Sequence, residues 1–307
     1  MNIYQIKTIN KISKKGLDKF GADYLISNEV EEPDAILVRS ASMHDMDFPA
    51  SLHCISRAGA GVNNIPVEKC AEKGIVVFNA PGANANAVKE LAIAALLISS
   101  RKIVDGILWT KTLSGNDIAK QVEKGKSQFV GPELKGKVLG VLGLGAIGAK
   151  VANTAVNLDM EVLGYDPFIS IDAAWGLSTS VKRAKDLKTI FDKCDYITLH
   201  LPLTDDTNEM LNKETFVQMR KGVRIINLSR GELVNDDDMK AALEEGKVYS
   251  YVTDFPDEKL LNVPGVISIP HLGASTPRRL RKVKIIRLLW LQWKLKISWK
   301  TETLRTQ

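Results

Sequence analysis

The sequence lacks the features that direct a chain into a membrane or an oxidising compartment. No stretch approaches the ~20 consecutive apolar residues that a membrane-spanning helix needs. The first fifteen residues contain no apolar core followed by a small-residue cleavage site, so we predict no secretory leader. Only three cysteines occur, at spacings that suit neither a zinc site nor a disulfide framework: Cys54, Cys70 and Cys194. These absences predict a cytoplasmic protein with three reduced, mostly buried thiols and no metal site.

Low-complexity linkers and internal repeats are absent as well. Of the 307 residues, 45% are hydrophobic and 25% are charged, which excludes a disordered or fibrous protein. The length is roughly twice that of a typical single domain, so we expect two domains with separate cores.

Short apolar runs alternate with helical patterns along most of the chain. Each run is bounded by Gly, Pro, Asn or Asp, which is typical of buried parallel strands. A long apolar helix without internal Gly or Pro is predicted from Asn84 to Arg101. The alternation predicts an α/β fold with two doubly wound, Rossmann-like parallel sheets. The predicted strands are 35–38, 54–56, 75–78, 138–142, 161–165, 196–200, 223–227, 249–252 and 266–269.

A glycine pattern follows the strand 138–142 and opens a helix: Gly143, Leu144, Gly145, Ala146, Ile147 and Gly148. The first glycine allows a tight turn, the second lets a pyrophosphate approach the backbone, and the third lets helix and strand pack closely. Asp166 ends the next strand, where a carboxylate binds ribose hydroxyls and repels a 2′-phosphate. The pattern predicts NAD as the cofactor rather than NADP. The alternative is a glycine turn in a fold without a cofactor.

Three polar segments follow later predicted strands, namely 227–234, 253–258 and 270–276. Together with Val38–Ser40 and Arg57–Asn64 they resemble the D-isomer-specific 2-hydroxyacid dehydrogenases, most of all the branch that oxidises 3-phosphoglycerate. The resemblance covers about residues 35–277. It implies a substrate-binding domain over 1–97, an NAD-binding domain over 98–277 and an active site in the cleft between them.

The resemblance also implies a function and a set of partners. The expected reaction is the oxidation of D-3-phosphoglycerate to 3-phosphohydroxypyruvate with NAD, which begins serine biosynthesis. The expected partners are a small 2-hydroxyacid and a second copy of the chain in a homodimer, with no nucleic acid and no membrane.

Carried over residue by residue, the family's catalytic arginine corresponds to Arg230 and its acid–base histidine to His271. A planar guanidinium can hold a substrate carboxylate by two parallel hydrogen bonds. An imidazole titrates near neutral pH and can accept the hydroxyl proton. Ser229 is expected at the cofactor, and His200 in a strand-end segment that lines it. His44 and His53 read as ordinary satisfied or exposed histidines.

The acidic partner of the histidine is ambiguous in the sequence. Gapless matching puts Thr253 at the family's aspartate position and Glu258 at its glutamate position. We predict that Glu258 pairs with His271 and that Asp254, one residue over, faces the nicotinamide, with Asp257 as the fallback for the histidine.

Substrate contacts are expected from the first domain. The residues that match the family's anion-binding loops are Arg39, Ser40, Ala58, Gly59, Ala60 and Gly61. For Arg57, an anion-binding role and a solvated surface charge are equally compatible with the sequence.

The last thirty residues differ in composition from the rest of the chain. Residues 278–307 contain ten Lys or Arg and one acidic residue, whereas 1–277 has a net charge of −3 although the whole chain carries +6. The family pattern stops after Pro277, where relatives continue with an acidic, alanine-rich helix that returns to the first domain. Read one base earlier, Trp293-Lys294 and Trp299-Lys300 each yield Glu. We therefore interpret the segment from about 278 as a frameshifted translation rather than a basic functional arm.

Three alternatives to the leading function stay open at this stage. The substrate can be another 2-hydroxyacid, such as lactate, or glycerate, which forms from hydroxypyruvate when the reaction runs as a reduction. The chain can be a non-catalytic, NAD-sensing relative, since the site residues alone do not exclude it. Finally, the basic tail can bind nucleic acid, which would show as salt-dependent retention on DNA.

Overall fold

The computed structural model describes residues 3–276 apart from 11, 13, 60, 81 and 274. The chain divides into two compact units, one ending at Asn84 and the other spanning Ala85–Thr276. The division precedes the long apolar helix, whereas the sequence predicted a boundary inside it, at 97/98. Ala60 of the predicted anion-binding loop and the predicted frameshifted segment lie outside the described residues.

The first unit is built on a five-stranded parallel sheet. Its elements are β1 Tyr4–Ile9, α1 Lys14–Leu17, β2 Tyr24–Ser27, β3 Ala35–Val38, β4 Cys54–Arg57, α2 Val67–Glu72 and β5 Val76–Phe78. The strand order is β2-β1-β3-β4-β5. Strands β3 and β4 are almost wholly buried, and Ile36, Val38 and Ile55 form one side of the core.

The second unit begins with three helices and continues as a strand–helix alternation. Its helices are α3 Ala85–Arg101, α4 Ile103–Thr110, α5 Ile118–Gly125, α6 Gly148–Val156, α7 Ile171–Trp175, α8 Leu187–Lys193, α9 Lys213–Gln218 and α10 Asp236–Glu244. Its strands are β6 Val138–Leu142, β7 Glu161–Tyr165, β8 Val181–Arg183, β9 Tyr196–Leu199, β10 Val223–Asn227, β11 Val248–Thr253 and β12 Val266–Ser268. Two 3₁₀ turns span Lys126–Phe129 and Gly231–Leu233.

The second sheet has seven parallel strands in the order β12-β11-β10-β9-β6-β7-β8. The chain winds outward on both sides from β6, so the order reverses between β6 and β9. In open α/β sheets, ligands bind outside the carboxyl ends of the strands at such a reversal. The doubly wound parallel architecture predicted from the sequence is confirmed.

Both faces of this sheet are covered, which explains why its strands are nearly continuous apolar runs. In β6, Leu139 and Val141 face the layer that contains α3 and α6, while Leu142 faces the opposite layer. A Cβ added at Gly140 would lie 2.6 Å from Ile190 of α8, so the strand and this helix pack very closely.

The placement of α3 explains the position of the unit boundary. Val88, Ala92, Ala95 and Leu96 are buried in the same apolar cluster as the β6 residues of the second sheet. The whole helix therefore packs with the second unit rather than being divided by a boundary.

All nine predicted strands are present within a residue or two, and the predicted helix spans 85–101. All three cysteines are buried, as predicted. The sequence reading missed β1, β2 and β8, each with at most one fully buried residue. Among the described residues, no helix is both long and apolar enough to cross a membrane.

Candidate functional site

The glycine turn lies at the carboxyl end of β6, beside the point where the strand order reverses. Gly143 has φ +88°, and a Cβ there would lie 2.5 Å from the carbonyl oxygen of His200. A Cβ at Gly148, the first residue of α6, would lie 1.8 Å from the carbonyl oxygen of Gly143. At Gly145 a Cβ would meet nothing within 4 Å. The turn is therefore closed on its inner side and open at its middle glycine, as a backbone cradle for a pyrophosphate requires.

Asp166 follows β7 directly and is tied to the same turn. Its Oδ2 accepts a hydrogen bond from the Leu144 N–H at 2.8 Å, and its Oδ1 accepts one from the Phe168 N–H at 2.9 Å. These bonds fix the carboxylate beside the glycine turn while leaving it half-buried. A fixed negative charge at this place fits the ribose hydroxyls of NAD and disfavours a 2′-phosphate.

His200 ends the strand segment that borders the glycine turn. Its backbone N–H donates to the Leu142 carbonyl at 2.8 Å, and its ring Nε2 contacts Thr198 Oγ1 at 3.1 Å. Burial lowers the pKa of His200 to about 4, so the imidazole is neutral at physiological pH. Its Nδ1 is buried without a hydrogen-bond partner in the protein, which suits a side chain that borders a bound dinucleotide. Together with the glycine turn and Asp166, this orphaned atom shows that the residues present fit NAD.

Arg230 follows β10, and its segment is held by buried polar groups. The Ser229 hydroxyl donates to the Leu199 carbonyl at 2.7 Å, which ties the segment to β9. The half-buried Arg230 donates from Nη1 to the Ser229 carbonyl at 2.6 Å. One nitrogen of the guanidinium is therefore held by a hydrogen bond beside the carboxyl edge of the sheet.

His271 is paired with Asp254. The distance from His271 Nδ1 to Asp254 Oδ2 is 3.9 Å, with side-chain exposures of 61% and 2%. This is an ion-pair distance rather than a hydrogen-bond distance. The Phe255 ring meets the His271 ring edge to face, with centroids 5.1 Å apart, and limits the positions that the imidazole can adopt.

The structure does not bring Glu258 to the histidine. Glu258 and the fallback Asp257 are both exposed, whereas Asp254 is the carboxylate within 4.0 Å of His271. The reason is that β11 continues to Thr253, one residue past the predicted end, so that Asp254 lies at the strand end while the following residues turn outward. Thr253, at the family's aspartate position, turns its hydroxyl to the Phe255 N–H at 3.1 Å.

Burial raises the pKa of Asp254, while the nearby His271 and, to a lesser extent, Arg230 oppose that rise. Asp254 Oδ1 is buried without a hydrogen-bond partner. The three groups therefore form one electrostatic cluster at the carboxyl edge of the second sheet.

The candidate anion-binding residues of the first unit lie at the carboxyl ends of β3 and β4. Arg39 and Ser40 are exposed, and the Ser40 N–H donates to Asn10 Oδ1 at 3.1 Å. Arg57 donates from Nε to the Arg39 carbonyl at 3.1 Å, so part of its role is to brace this loop. The Ala58 N–H donates to the Val38 carbonyl at 2.7 Å, and Gly61 follows in the same loop.

Sequence reasoning assigned no role to two buried residues beneath the cluster, Asn227 and Tyr251. The only signal was the position of Asn227 at the end of a strand that carries Arg230, because Tyr251 reads as an ordinary core aromatic. Among the described residues, no group of three or more His, Cys, Asp or Glu side chains is arranged to hold a metal ion.

Comparison with known proteins gives the family. Residues 93–273 match the model of the D-isomer specific 2-hydroxyacid dehydrogenase, NAD binding domain. A D-3-phosphoglycerate dehydrogenase of Methanocaldococcus jannaschii is 37% identical over 81% of this chain and 47% of its own length. A hydroxypyruvate reductase of Thermotoga maritima is 37% identical over 83% of each chain.

A solved structure supports the fold. The NAD⁺-bound 3-phosphoglycerate dehydrogenase of Entamoeba histolytica has a TM-score of 0.69 and 24% identity, covering 92% of this chain and 91% of its own. The chain spans about half the length of the D-3-phosphoglycerate dehydrogenase it matches in M. jannaschii, but most of the length of the T. maritima hydroxypyruvate reductase. The glycine turn, the arginine and the histidine thus occur in a chain that belongs to the D-isomer specific 2-hydroxyacid dehydrogenase family and carries its NAD-binding domain.

Proposed function

We propose that the protein catalyses the NAD-linked oxidation of a D-2-hydroxyacid, with 3-phosphoglycerate as the substrate and 3-phosphohydroxypyruvate as the product. The observation that carries the proposal is the cluster of Arg230, Asp254 and His271 at the carboxyl edge of the NAD-binding sheet. An acid–base group beside a carboxylate-binding cation is what hydride transfer from a hydroxyacid requires.

Arg230 binds the substrate carboxylate in this proposal. One guanidinium nitrogen is engaged by the Ser229 carbonyl, which orients the planar group and leaves its other N–H donors for the substrate. Two parallel bonds to a carboxylate would fix the adjacent hydroxyl-bearing carbon in one orientation. The positive charge also polarises the ketone in the reverse reaction.

His271 takes the hydroxyl proton as the C–H bond breaks and returns it in the reverse direction. When bound, NAD supplies the hydride acceptor. Asp254 stabilises the imidazolium that forms, and the Phe255 ring holds the imidazole plane. In this assignment Asp254 takes the role that the sequence gave to Glu258, because Asp254 is the buried carboxylate at the histidine.

The choice of 3-phosphoglycerate is supported by the M. jannaschii relative and by the anion-binding pattern at Arg39, Ser40 and the loop 58–61. The T. maritima hydroxypyruvate reductase is just as similar, so reduction of hydroxypyruvate to glycerate is the second candidate. The leading proposal assigns the protein to the entry of serine biosynthesis in the cytoplasm.

We also propose that the protein is a homodimer. Helix α4 has no buried residue although it is rich in apolar side chains, and Ile103, Ile107 and Leu108 are 41%, 50% and 59% exposed. A second copy covering this face would remove a contiguous apolar surface from water. Sedimentation should give a dimer that Ile107→Lys dissociates, and a monomeric wild-type protein at micromolar concentration would contradict the proposal.

The test of the activity is NADH formation with purified protein, NAD and a panel of 3-phosphoglycerate, D-glycerate and D-lactate. We expect the highest kcat/KM with 3-phosphoglycerate. Arg230→Ala and His271→Ala should each lower kcat on the order of a hundred- to ten-thousandfold while NAD still binds. Arg220→Ala and His53→Ala are matched controls, since Arg220 pairs with Asp195 and His53 is exposed, and neither belongs to the cluster.

The substrate panel distinguishes the two candidate functions. If glycerate is the best substrate, the glycerate–hydroxypyruvate reaction replaces the oxidation of 3-phosphoglycerate as the proposed function. Full turnover of His271→Ala at neutral pH would show that another group carries the proton. NAD binding without turnover on any member of the panel would reject the catalytic proposal.

A further inference from the structure

A buried asparagine supports the segment that carries Arg230. Asn227 is 0% exposed and uses its whole side-chain amide. Its Oδ1 accepts from the Ser229 N–H at 3.1 Å, and its Nδ2 donates to the Arg230 carbonyl at 2.7 Å and to the Tyr251 hydroxyl at 3.2 Å. The amide therefore joins the Arg230 segment to a side chain of the neighbouring strand.

Tyr251 belongs to the strand that leads to Asp254. It lies on β11, three residues before Asp254, and is 1% exposed. At the end of the strand, Thr253 Oγ1 accepts from the Phe255 N–H at 3.1 Å, and the Phe255 ring packs on His271. The buried Asn227–Tyr251 bond thus joins the Arg230 segment to the strand that leads to Asp254.

Tyr251 is not itself a proton carrier. Burial raises the pKa of Tyr251 to about 12, so the phenol is neutral throughout the working range of an enzyme. It also lies in the apolar cluster below the strand ends, on the same face as Ile225 of the adjacent strand. Its hydroxyl can act only through the groups to which it is hydrogen-bonded.

We propose that the Tyr251 hydroxyl is a positioning group that holds the Arg230 and Asp254 segments in a fixed relative position. The effect on turnover rests on the proposed dehydrogenase activity, whereas the link between the two segments does not. Removing the hydroxyl leaves one N–H of the Asn227 amide without its buried partner, and an unsatisfied buried donor costs free energy. The loops above them would then lose their common anchor.

The competing interpretation is that Tyr251 only fills the core. Tyr196 provides a matched control, because it is another fully buried tyrosine of the same sheet. Its hydroxyl bonds Ser100 at 2.7 Å near the amino ends of the strands, away from Arg230 and His271. Tyr251→Phe and Tyr196→Phe therefore each remove one buried phenol hydroxyl from the same sheet, although from its two opposite apolar clusters, and only the first should affect the site.

The kinetic test compares these two variants. We expect Tyr251→Phe to lower kcat about three- to tenfold, the factor that one neutral hydrogen bond is worth, and to raise KM for the hydroxyacid. The Kd for NAD, measured by titration, should stay within about twofold because the glycine turn is untouched. Tyr196→Phe should leave all three constants unchanged. A Tyr251→Phe variant with wild-type kcat and KM and only a lower Tm would overturn the proposal.

Hydrogen exchange tests the link without any need for turnover. The Ser229 amide donates to Asn227 Oδ1, and it should exchange several-fold faster in Tyr251→Phe. Tyr196→Phe should leave its exchange unchanged. Unaltered exchange at this amide in Tyr251→Phe would refute the link, whereas an inactive wild-type protein with the expected exchange would reject only the proposed function.

Discussion

Replacing Gly148 with alanine should disable the cofactor turn. The added Cβ would lie 1.8 Å from the Gly143 carbonyl oxygen and 2.9 Å from its carbon, both of them backbone atoms. Real Cβ atoms essentially never approach closer than 3.0 Å, so α6 must move away from the turn. The helix N-terminus and the glycine turn form the phosphate cradle together, so this movement removes the cradle.

The size of the effect follows from the clash. Overpacking in a closely packed site costs typically about 1–3 kcal/mol. For a unit of this size each kcal/mol lowers Tm by roughly 2–4 °C, so we expect a decrease of about 2–12 °C. NAD should bind at least about tenfold more weakly, which corresponds to about 1.4 kcal/mol of lost interaction.

Gly145→Ala is the matched control for stability. A Cβ there meets nothing within 4 Å, so the folded protein accommodates it. The free energy of unfolding should therefore change by no more than about 0.5 kcal/mol. The methyl group nevertheless occupies the open side of the turn, where the pyrophosphate approaches. We therefore expect loss of NAD affinity without loss of stability.

Thermal unfolding and NAD titration of the three proteins give the answer. The expected pattern is that Gly148→Ala loses both stability and affinity, while Gly145→Ala loses affinity alone. A Gly148→Ala protein with wild-type Tm would refute the packing argument. Undiminished NAD affinity in Gly145→Ala would show that the pyrophosphate binds elsewhere.

Three further predictions follow from the same site and from the tail. Asp166→Ala should narrow the preference for NAD over NADP by a factor on the order of ten, because a fixed charge that repels the 2′-phosphate is lost. Equal Kd values of the wild-type protein for NAD and for NADP would contradict the assignment. Burial raises the pKa of Asp254 above its unfolded value, so ionisation costs stability as the pH rises through that interval. Asp254→Asn should therefore gain Tm relative to wild type at neutral pH but not at acidic pH, and a Tm difference that is constant with pH would rule this out. For the tail, resequencing of the gene should reveal a frame change near codon 278, and an unambiguous frame through Gln307 would defeat that interpretation.

The buried strands could be predicted because their composition is set by burial on both faces. Val138–Leu142 is apolar throughout since α3 and α6 cover one face and α8 the other. By contrast, β1 has one buried residue, Ile6, among polar neighbours, so its sequence resembles that of a loop. This strand is defined by its pairing with β2 and β3, and the local sequence does not reveal those neighbours.

The sequence was enough to predict the main residues of the site, but not which side chains contact one another there. Arg230 and His271 follow strands whose ends meet at one edge, and the motif order was enough to single them out. The histidine's carboxylate could not be predicted, because the burial of Asp254 at the end of β11 and the exposure of Glu258 are set by the fold rather than by the local sequence. The Asn227–Tyr251 bond joins residues 24 positions apart on neighbouring strands, and no local pattern indicates it.

In the proposed function, the Arg230–Asp254–His271 cluster oxidises a D-2-hydroxyacid with NAD. The most direct measurement is single-turnover NADH formation from 3-phosphoglycerate by the wild-type protein and by His271→Ala, each saturated with NAD. We expect a burst of NADH in the wild-type protein and a rate on the order of a hundredfold or more lower in the variant. Equal rates for the two proteins, or no NADH from any D-2-hydroxyacid although NAD is bound, would contradict the proposed function.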